Sequence, residues 1–512
     1  MNRWWRATMV GLAGSMLGIG GLVAPAEAEP SAPDRSGVRS AGTSPAADFN
    51  GDGYSDLAVA GDRDAEDGSP VGVIRIRYGS KVGLTIANAQ VWTEDTFRLK
   101  VGNQLGDTLA TGDLDGDGYT DLAVGAPFAT VGAATSAGLV CVIYGSSRGL
   151  DTTRTQLWSL DTPGVAGGAA NSANFGRALT IADFGRGPAE DLAVGVPGQH
   201  GGGSVSLLYG SPTGLTTAGS QVWSQRTKGI QGRAEKWDDF GSELASGNFG
   251  RSVEADLVIG VPSETLGGLD GAGAVNVIYG SPTGLTAAGA QRWSAASPGV
   301  PGSLREQATF GESLAAGHFA STAYDDLAIG APWDRVSGKH AAGSVTVIRG
   351  GASGLTPRGS QRWTQASKGV AGKPGTYDFF GWSLAAADVG RADRGEGLDD
   401  LAIGVSGERV GKVPDAGAVQ VIYGSTRGLR ASGSVLISRA TPGVLGTARR
   451  EAYVGTALTV GDFGRTSGGR PMDDLAVAGR DQGMNVLYGT RSGLSTGEDQ
   501  FLTDQGFVLP GN

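Results

Sequence analysis

Seven copies of one sequence pattern run through almost the whole chain, and this repetition limits the possible folds more than any other feature. A pentapeptide of the form D-L-A-V/I-G, or a close variant, recurs at intervals of 65 to 74 residues. Its copies begin at Asp56, Asp121, Asp191, Asp256, Asp326, Asp400 and Asp474. A second marker, V-I-Y-G-S or a variant, follows each copy, and a third, Q-x-W, follows five of them. Markers that keep one order at a regular period indicate a repeated structural unit.

Each unit contains four short runs that are rich in β-branched or aromatic residues and end at Gly, Pro or Asp. Unit four shows them as ELASGNF, DLVIGVP, GAVNVIYG and GAQRWS. Such runs are typical of short strands, and no unit carries a helical 3.6-residue stripe. We therefore predict an all-β, seven-bladed β-propeller with four short antiparallel strands per blade. The 90 glycines agree, because strand ends need turns with positive φ. A parallel β-helix is the alternative, although its rungs are far shorter than these units.

Two further motifs carry a resemblance to a known family. F-G precedes the first strand of several units, at Phe175-Gly176, Phe240-Gly241, Phe310-Gly311 and Phe380-Gly381. G-A-P or G-V-P follows the second strand, at Gly125-Ala126-Pro127, Gly195-Val196-Pro197, Gly260-Val261-Pro262 and Gly330-Ala331-Pro332. Over about residues 43 to 505 the chain resembles the FG-GAP repeats of the integrin α-subunit N-terminal β-propeller, in a bacterial, secreted, stand-alone form. Unit one lacks the F-G and unit six ends in GVSG, so the resemblance is weakest there.

The beginning of the chain has the composition of an export signal. Two arginines precede an apolar stretch, Ala7–Val23, and Ala26-Glu27-Ala28 forms an A-x-A cleavage site. We predict a signal peptide over residues 1–28, a flexible leader over 29–42 and the propeller over 43–512. A retained membrane anchor is the alternative, for which the apolar stretch is short. The mature protein is then secreted and extracellular, without membrane insertion after signal cleavage, and we expect a monomer.

The charge balance limits the class of partner. The formal net charge is −10, charged residues make up 18% of the chain, and no run of Lys and Arg stands out. Nucleic acid and anionic lipid attract basic clusters, so the sequence argues against both. Cys141 is the one cysteine, which excludes an intramolecular disulfide framework. Its apolar setting, GLVCVIYG, predicts a buried thiol.

Acidic side chains alternate along the loop that precedes D-L-A-V in the first two units. Positions 1, 3, 5 and 9 of this nine-residue loop are Asp48, Asn50, Asp52 and Asp56 in unit one, and Asp113, Asp115, Asp117 and Asp121 in unit two. Position 7 offers a backbone carbonyl, at Tyr54 and Tyr119. Oxygen donors without nitrogen or sulfur favour Ca²⁺ over zinc or copper. The resemblance implies the same ion, because loops of this pattern bind Ca²⁺ in FG-GAP propellers.

We predict two calcium sites, with a solvated Asx-type turn as the alternative. The loops that begin near residues 183, 248, 318, 388 and 462 have lost carboxylates at positions 3 and 5, and we predict that they are degenerate. An arginine follows the start of four of them, at Arg186, Arg251, Arg391 and Arg465. We expect this guanidinium to replace the cation by pairing with the terminal Asp.

No catalytic motif accompanies this pattern. The three histidines, His200, His318 and His340, lie outside any G-x-S-x-G, H-E-x-x-H or Walker sequence. The sequence therefore favours a binding or adhesion-type module for an extracellular protein or glycan. A secreted hydrolase or lyase with its active site at the propeller axis is the alternative, and an inert envelope protein is a third possibility.

Aromatic residues in the variable loops are the candidate partner-binding residues. Trp237, Trp333 and Tyr377 stand among Gly, Lys and Asp in loops at the end of the propeller opposite the acidic loops. Aromatic side chains on rigidly held loops are common in binding sites. The alternative is that each ring covers its own blade. The periodic tryptophans are predicted to be core residues: Trp92, Trp158, Trp223, Trp293 and Trp363.

Overall fold

The protein forms seven antiparallel β-sheets, one for each sequence unit, and these are the blades of a seven-bladed propeller. This computed structural model describes residues 47–64, 70–97, 105–390, 397–465, 472–480, 483–503 and 506–508. The predicted signal peptide and leader lie outside these ranges. Within the described ranges, no helix has the length and apolar character needed to cross a membrane.

The first three blades contain eleven strands. Blade one has β1 (Leu57–Asp64), β2 (Pro70–Tyr78) and β3 (Thr85–Thr93), followed by a 3-10 helix (Glu94–Phe97). Blade two has β4 (Thr108–Gly112), β5 (Asp121–Ala126), β6 (Leu139–Tyr144) and β7 (Asp151–Trp158). Blade three has β8 (Leu179–Ala182), β9 (Asp191–Val196), a 3-10 helix (Gln199–Gly201), β10 (Ser204–Tyr209) and β11 (Thr216–Trp223).

The remaining blades follow the same order. Blade four has β12 (Leu244–Gly247), β13 (Asp256–Val261), β14 (Ala274–Tyr279) and β15 (Thr286–Trp293). Blade five has β16 (Ser313–Gly317), β17 (Asp326–Ala331), β18 (Ser344–Arg349) and β19 (Thr356–Trp363). Blade six has β20 (Phe380–Ala387), β21 (Asp400–Val405), β22 (Ala418–Tyr423) and β23 (Arg430–Ile437). Blade seven has β24 (Ala457–Gly461), β25 (Asp474–Ala478), β26 (Met484–Leu487), β27 (Gln500–Thr503) and β28 (Gly506–Val508).

The prediction of four strands per blade is confirmed, with an exception at each end of the chain. Blades two to six have four strands each. Blade one has three among the described residues, because β1 corresponds to the second strand of the other blades. Blade seven has five, because β28 adds an outer strand to β27. The first strands of neighbouring blades contact each other from β4 to β24 and form the inner wall of the ring.

Burial along the strands follows from this packing. The second strand is buried along its whole length, as in β5 and β13, because it is covered on both faces by neighbouring blades. The fourth strand is partly exposed, as in β7. Cores form between blades: Phe249 and Trp293 of blade four pack with Phe310 and Leu327 of blade five. Four of the periodic tryptophans are buried and Trp363 is partly buried, as predicted. Cys141 is also buried, which raises the pKa of its thiol to about 12.

Candidate metal loops and the face opposite them

The terminal Asp of the loop has the same backbone partners throughout the ring. In all seven blades its Oδ1 accepts a hydrogen bond of 2.8–3.0 Å from the N–H of the glycine that follows the third strand. In five blades its Oδ2 also accepts one of 2.8–3.0 Å from the second loop residue. Burial raises the pKa of Asp191 to about 8, although the hydrogen bonds from these N–H groups lower it in part. This Asp therefore fixes the loop to the blade even where the other acidic positions are lost.

A second set of hydrogen bonds joins each loop to the loop of the preceding blade. The backbone N–H of the residue just before the terminal Asp donates to the carbonyl oxygen at position 1 of the preceding loop, over 2.7–3.0 Å. The donor and acceptor pairs are Thr120 and Asp48, Glu190 and Asp113, Ala255 and Asp183, Asp325 and Asn248, Asp399 and His318, Asp473 and Asp388, and Ser55 and Asp462. The seven bonds form a closed circle. All seven bonds lie on the face of the propeller that carries these loops.

In loop one, acidic side chains accept hydrogen bonds from the backbone N–H groups of the same loop. The Asp48 carboxylate accepts N–H bonds of 2.6, 3.0 and 2.8 Å from Gly51, Asp52 and Gly53. Asn50 Nδ2 donates to Asp52 Oδ2 over 3.1 Å. Loop two touches this loop, because a Cβ at Gly51 would lie 2.7 Å from Cε1 of Tyr119. Gly51 also has a φ of 72°, so both its conformation and this contact require glycine.

Loop two brings three carboxylates together. Oxygens of Asp113, Asp115 and Asp117 lie within 4.8 Å of one another, which suits a cation held through oxygen. Asp113 accepts three backbone N–H bonds, as Asp48 does. One basic residue joins this group: Arg154 Nη2 lies 2.6 Å from Asp115 Oδ2, and Nη1 lies 3.8 Å from Asp117 Oδ2. In blade one, Asn88 occupies the position of Arg154, so the two loops differ in charge.

The expectation that arginine replaces the cation in the degenerate loops is wrong for the described residues. Arg186, Arg251 and Arg465 lie over the tyrosine rings of their own blades, at 4.5, 4.1 and 5.0 Å from the ring centroids. Arg186 and Arg465 also donate Nε to backbone carbonyls of the next blade. Their loops turn through positive φ at these arginines, which directs the side chains outward over the blade rather than toward the terminal Asp. Arg391 lies outside the described residues.

Blade five does contain an arginine paired with the terminal Asp, at a different position. Arg349 replaces the tyrosine of the V-I-Y-G-S marker, and its Nη1 lies 2.8 Å from Asp326 Oδ2. Both side chains are largely buried. Burial raises the pKa of Asp326 to about 6, and the Arg349 charge limits the rise.

Glutamines of the Q-x-W marker bridge neighbouring blades, a role that the sequence analysis did not assign. Gln156 Nε2 donates to the carbonyl of Leu215 over 3.2 Å, and its Oε1 accepts from the N–H of Leu215 over 3.0 Å. Gln500 makes the same pair of bonds to Leu84, each 3.2 Å, and thereby joins blade seven to blade one. Gln500 keeps this role although blade seven has lost the tryptophan. The sequence signal for this role is that blade seven keeps the glutamine of the marker although it has lost the tryptophan.

The face opposite the loops carries the three candidate partner-binding residues. In five blades, the residues three and one positions before the F-G site have φ between 46° and 74°. The pairs are Ser172 and Asn174, Trp237 and Asp239, Gln307 and Thr309, Tyr377 and Phe379, and Glu451 and Tyr453. Trp237 and Tyr377 therefore occupy equivalent positions in blades four and six, and they are 58% and 49% exposed. Because five blades share this conformation, it belongs to the repeat, and an exposed aromatic ring at this position is what distinguishes blades four and six.

Trp333 differs from these two residues. It is partly buried, and its ring packs edge-on against Phe379, with 5.0 Å between centroids. The ring centroid of Tyr377 lies 5.9 Å from that of Phe379 and 5.2 Å from that of His340. The structure thus joins Trp333 and Tyr377 through an aromatic cluster, in which Trp333 supports the exposed ring, and it places Trp237 two blades away.

Carboxyl groups from several blades also converge at the start of the first strands. Arg177 of blade three forms an ion pair of 3.0 Å with Asp107 of blade two. The same guanidinium influences Glu243 of blade four and Glu312 of blade five. Burial raises the pKa of Glu243 to about 8 and that of Glu312 to about 7. Because these interacting side chains come from four blades, the cluster that they form lies near the propeller axis.

Comparison with known proteins supports the repeat assignment. The FG-GAP repeat model matches residues 105–143, which contain loop two. The chain is 32% identical over 184 residues to phosphatidylinositol-glycan-specific phospholipase D of Rattus norvegicus, covering 35% of this chain and 21% of that protein. It is 32% identical over 192 residues to integrin alpha-PS2 of Drosophila melanogaster, covering 35% of this chain and 13% of that protein.

Solved structures match this chain at low sequence identity. The BBS1N structure in complex with ARL6DN covers 87% of this chain and 91% of its own, with 11% identity and a TM-score of 0.42, too low to bear on function. The chain thus spans about a fifth or less of the two curated relatives. The chain thus contains an FG-GAP repeat at residues 105–143, and its seven-bladed propeller is similar in sequence to parts of integrin α-subunits and of phosphatidylinositol-glycan-specific phospholipase D.

Proposed function

We propose that this propeller is an exported, calcium-stabilised binding module that recognises a saccharide on the face opposite its loops. The observation that carries the proposal is the exposure of the aromatic rings of Trp237 and Tyr377 at equivalent positions of two blades. The export signal read from residues 1–28 supports an extracellular setting.

The donor set of the loops supports the metal. In loop two, Asp113, Asp115 and Asp117 would hold a Ca²⁺ ion, and their oxygens are already close enough to share one. In loop one, Asp48 and Asp52 with the amide oxygen of Asn50 offer the corresponding atoms. A bound ion supplies positive charge that relieves carboxylate repulsion and ties the first strand to the second. At tenfold excess over its dissociation constant, each ion adds about 1.4 kcal/mol to the free energy of unfolding.

The form of the exposed surface favours a saccharide over a protein. A stable protein interface buries roughly 800 Å² on each partner around an apolar centre. Among the described residues of the opposite face, Trp237 and Tyr377 are large exposed apolar side chains, and they are single rings on separate blades, set among glycine and charged residues. Lys236 Nζ lies 4.7 Å from the ring centroid of Trp237, which adds a hydrogen-bond donor beside an apolar platform. Isolated rings with polar neighbours suit the alternating apolar and hydroxyl surfaces of sugars.

A screen against immobilised saccharides and immobilised extracellular proteins tests the proposal. The full mature chain is applied with calcium and, in a second series, with a chelator. Retention by a subset of saccharides supports the proposal. Retention by proteins alone would replace the saccharide with a protein partner, and retention by neither would contradict a binding role.

The axial carboxyl groups favour one second candidate, a hydrolase or lyase. With pKa values raised to about 8 and about 7, Glu243 and Glu312 hold protons near neutral pH, as a general acid must. Turnover of a glycoside or ester by the wild type and its loss in Glu243→Gln would support this candidate. Unchanged turnover in Glu243→Gln and Glu312→Gln would count against it.

A further inference from the structure

A cavity of about 320 Å³ opens in blade five on the face opposite the loops. Three chain segments and one strand residue line it. The segments are the connection from blade four at Gly302–Arg305, the hairpin between β17 and β18 at Arg335–Ser337, and the residues after β19 at Thr364–Ser367. The strand residue is Arg362 of β19. The volume is in the range of pockets that hold small ligands. Blade five lies between blades four and six, which carry Trp237 and Tyr377.

Three guanidinium groups line this cavity, and two of them share one carboxylate. Arg362 Nη2 lies 2.6 Å from Asp334 Oδ2, and Arg305 Nε lies 3.3 Å from Asp334 Oδ1. Asp334 is buried and also accepts a hydrogen bond of 2.8 Å from Ser344 Oγ, which fixes its orientation. One negative charge therefore holds two positive charges at the cavity wall.

Arg335 supplies the third guanidinium. Its side chain is exposed and takes part in no ion pair among the described residues. It begins a tight hairpin closed by backbone bonds between Val336 and Lys339, 3.1 and 2.8 Å long. This hairpin holds Arg335 beside Asp334 and presents Ser337, at a φ of 49°, to the same cavity. Three guanidinium groups near one carboxylate leave an excess of about two positive charges in a chain whose net charge is −10.

The cavity wall also places neutral donors beside the charges. Ser303 and Ser337 lie among the lining residues, whereas the hydroxyl of the buried Thr364 accepts a hydrogen bond of 3.1 Å from the N–H of Ala366. Gly302 packs against the stem of Arg362, since a Cβ at Gly302 would lie 3.5 Å from Arg362 Cδ. By contrast, a second cavity of about 340 Å³ on blade two is lined by Val131, alanines, Asn171 and Asp161. The basic lining thus distinguishes the blade-five cavity from the one on blade two.

We propose that this cavity, called the arginine cleft, binds an oxyanion. Guanidinium groups pair with sulfate, phosphate and carboxylate through two parallel N–H bonds, and hydroxyl donors complete the remaining acceptor sites. The identity of this oxyanion rests on the proposed function: it is the acidic group of a saccharide that also reaches the exposed rings of the neighbouring blades. The partner is then a sulfated or carboxylated sugar.

Inorganic sulfate and inorganic phosphate are the first probes, because their binding does not depend on the saccharide. The calcium-loaded mature chain is titrated with each anion by calorimetry at low ionic strength. Arg335→Ala is the test variant, since its side chain lies at the surface and its removal leaves Asp334 with both of its partners. Arg358→Ala is the control, because it removes an exposed arginine from β19 of the same blade, outside the cleft.

The cleft predicts that anion affinity falls at least about tenfold in Arg335→Ala, as loss of a charged hydrogen bond implies, and stays within twofold in Arg358→Ala. Equal weakening in both variants, or no binding to the wild type, would overturn the proposal. A second series compares sulfated, carboxylated and neutral forms of one sugar, which separates the sources of the oxyanion. Sulfate binding without saccharide binding keeps the cleft and rejects the proposed function. Saccharide binding unaffected by Arg335→Ala keeps the function and rejects the cleft.

Discussion

The backbone N–H of Ser55 donates a hydrogen bond of 2.7 Å to the carbonyl oxygen of Asp462, and this bond joins the first loop of the chain to the last. An equivalent bond links each of the six remaining pairs of neighbouring loops. Blades one and seven also share an apolar core that includes Leu57, Leu84 and Tyr488. The ring therefore closes through side-chain packing and loop bonds between blades one and seven.

Replacing Gln500 tests this closure. In Gln500→Ala, both bonds to Leu84 are lost while the backbone groups of that residue remain buried. We expect the free energy of unfolding to fall by about 2 kcal/mol, measured by urea denaturation with calcium present. Gln156→Ala is the matched variant, because it removes the same bonds between blades two and three. Similar losses in the two variants support a closed ring, whereas loss in Gln156→Ala alone would show that blades one and seven are not joined.

Arg154 sets a prediction for metal affinity. Its guanidinium neutralises Asp115 in loop two and competes with a cation for the same oxygen. In Arg154→Ala, the affinity of the proposed calcium site in loop two should rise about fivefold, equivalent to about 1 kcal/mol, as measured by calorimetric titration of chelator-treated protein. Arg148→Ala removes the same charge from an exposed position and serves as the control. A fall in affinity in Arg154→Ala, or an equal rise in the control, would contradict competition at loop two.

The Asp326–Arg349 pair predicts a dependence on pH. The pKa of Asp326 rises from 3.8 to about 6 on folding, so its contribution to stability is complete below about pH 4 and is lost as the pH rises through 6. Without Arg349 the pKa of Asp326 rises further, so at pH 8 this buried carboxyl either holds a proton against the solvent or ionises without a cation beside it. Arg349→Ala should therefore cost about 3 kcal/mol at pH 8 and less at pH 5, measured by urea denaturation.

The control for this pair is the double variant Asp326→Asn with Arg349→Ala, which has no carboxylate to ionise. Its loss of stability relative to wild type should differ much less between pH 5 and pH 8. A cost of Arg349→Ala that is the same at both pH values would show that the guanidinium acts through its backbone contacts and not through Asp326.

Features that repeat locally in the chain could be predicted from the sequence. The strand order of each blade follows from runs that are complete within one unit, such as the run from Asp256 to Val261, and from glycines at the ends of these runs. The acidic residues of loop two converge because alternate residues of a tight turn point inward, so spacing alone indicated Asp113, Asp115 and Asp117.

Contacts between distant residues could not be predicted in this way. Arg154 reaches Asp115 across 39 residues, from a strand with no special pattern. The guanidinium groups of Arg305 and Arg362 meet at Asp334 from separate segments, so the sequence shows no basic run although the folded surface has a basic cleft. The arginines of the degenerate loops were misassigned because spacing does not reveal that positive φ at Arg251 turns its side chain over a tyrosine ring.

The most direct test of the account is saccharide retention by the double variant Trp237→Ala with Tyr377→Ala, measured on the same array beside wild type and Leu157→Ala. Leu157 is 49% exposed, as Tyr377 is, but lies on the outer strand of blade two, so its removal controls for loss of an exposed apolar side chain. We predict that the double variant retains its thermal stability and loses at least about tenfold in affinity, while Leu157→Ala binds as wild type does. Undiminished saccharide binding by the double variant would contradict recognition on the face opposite the loops.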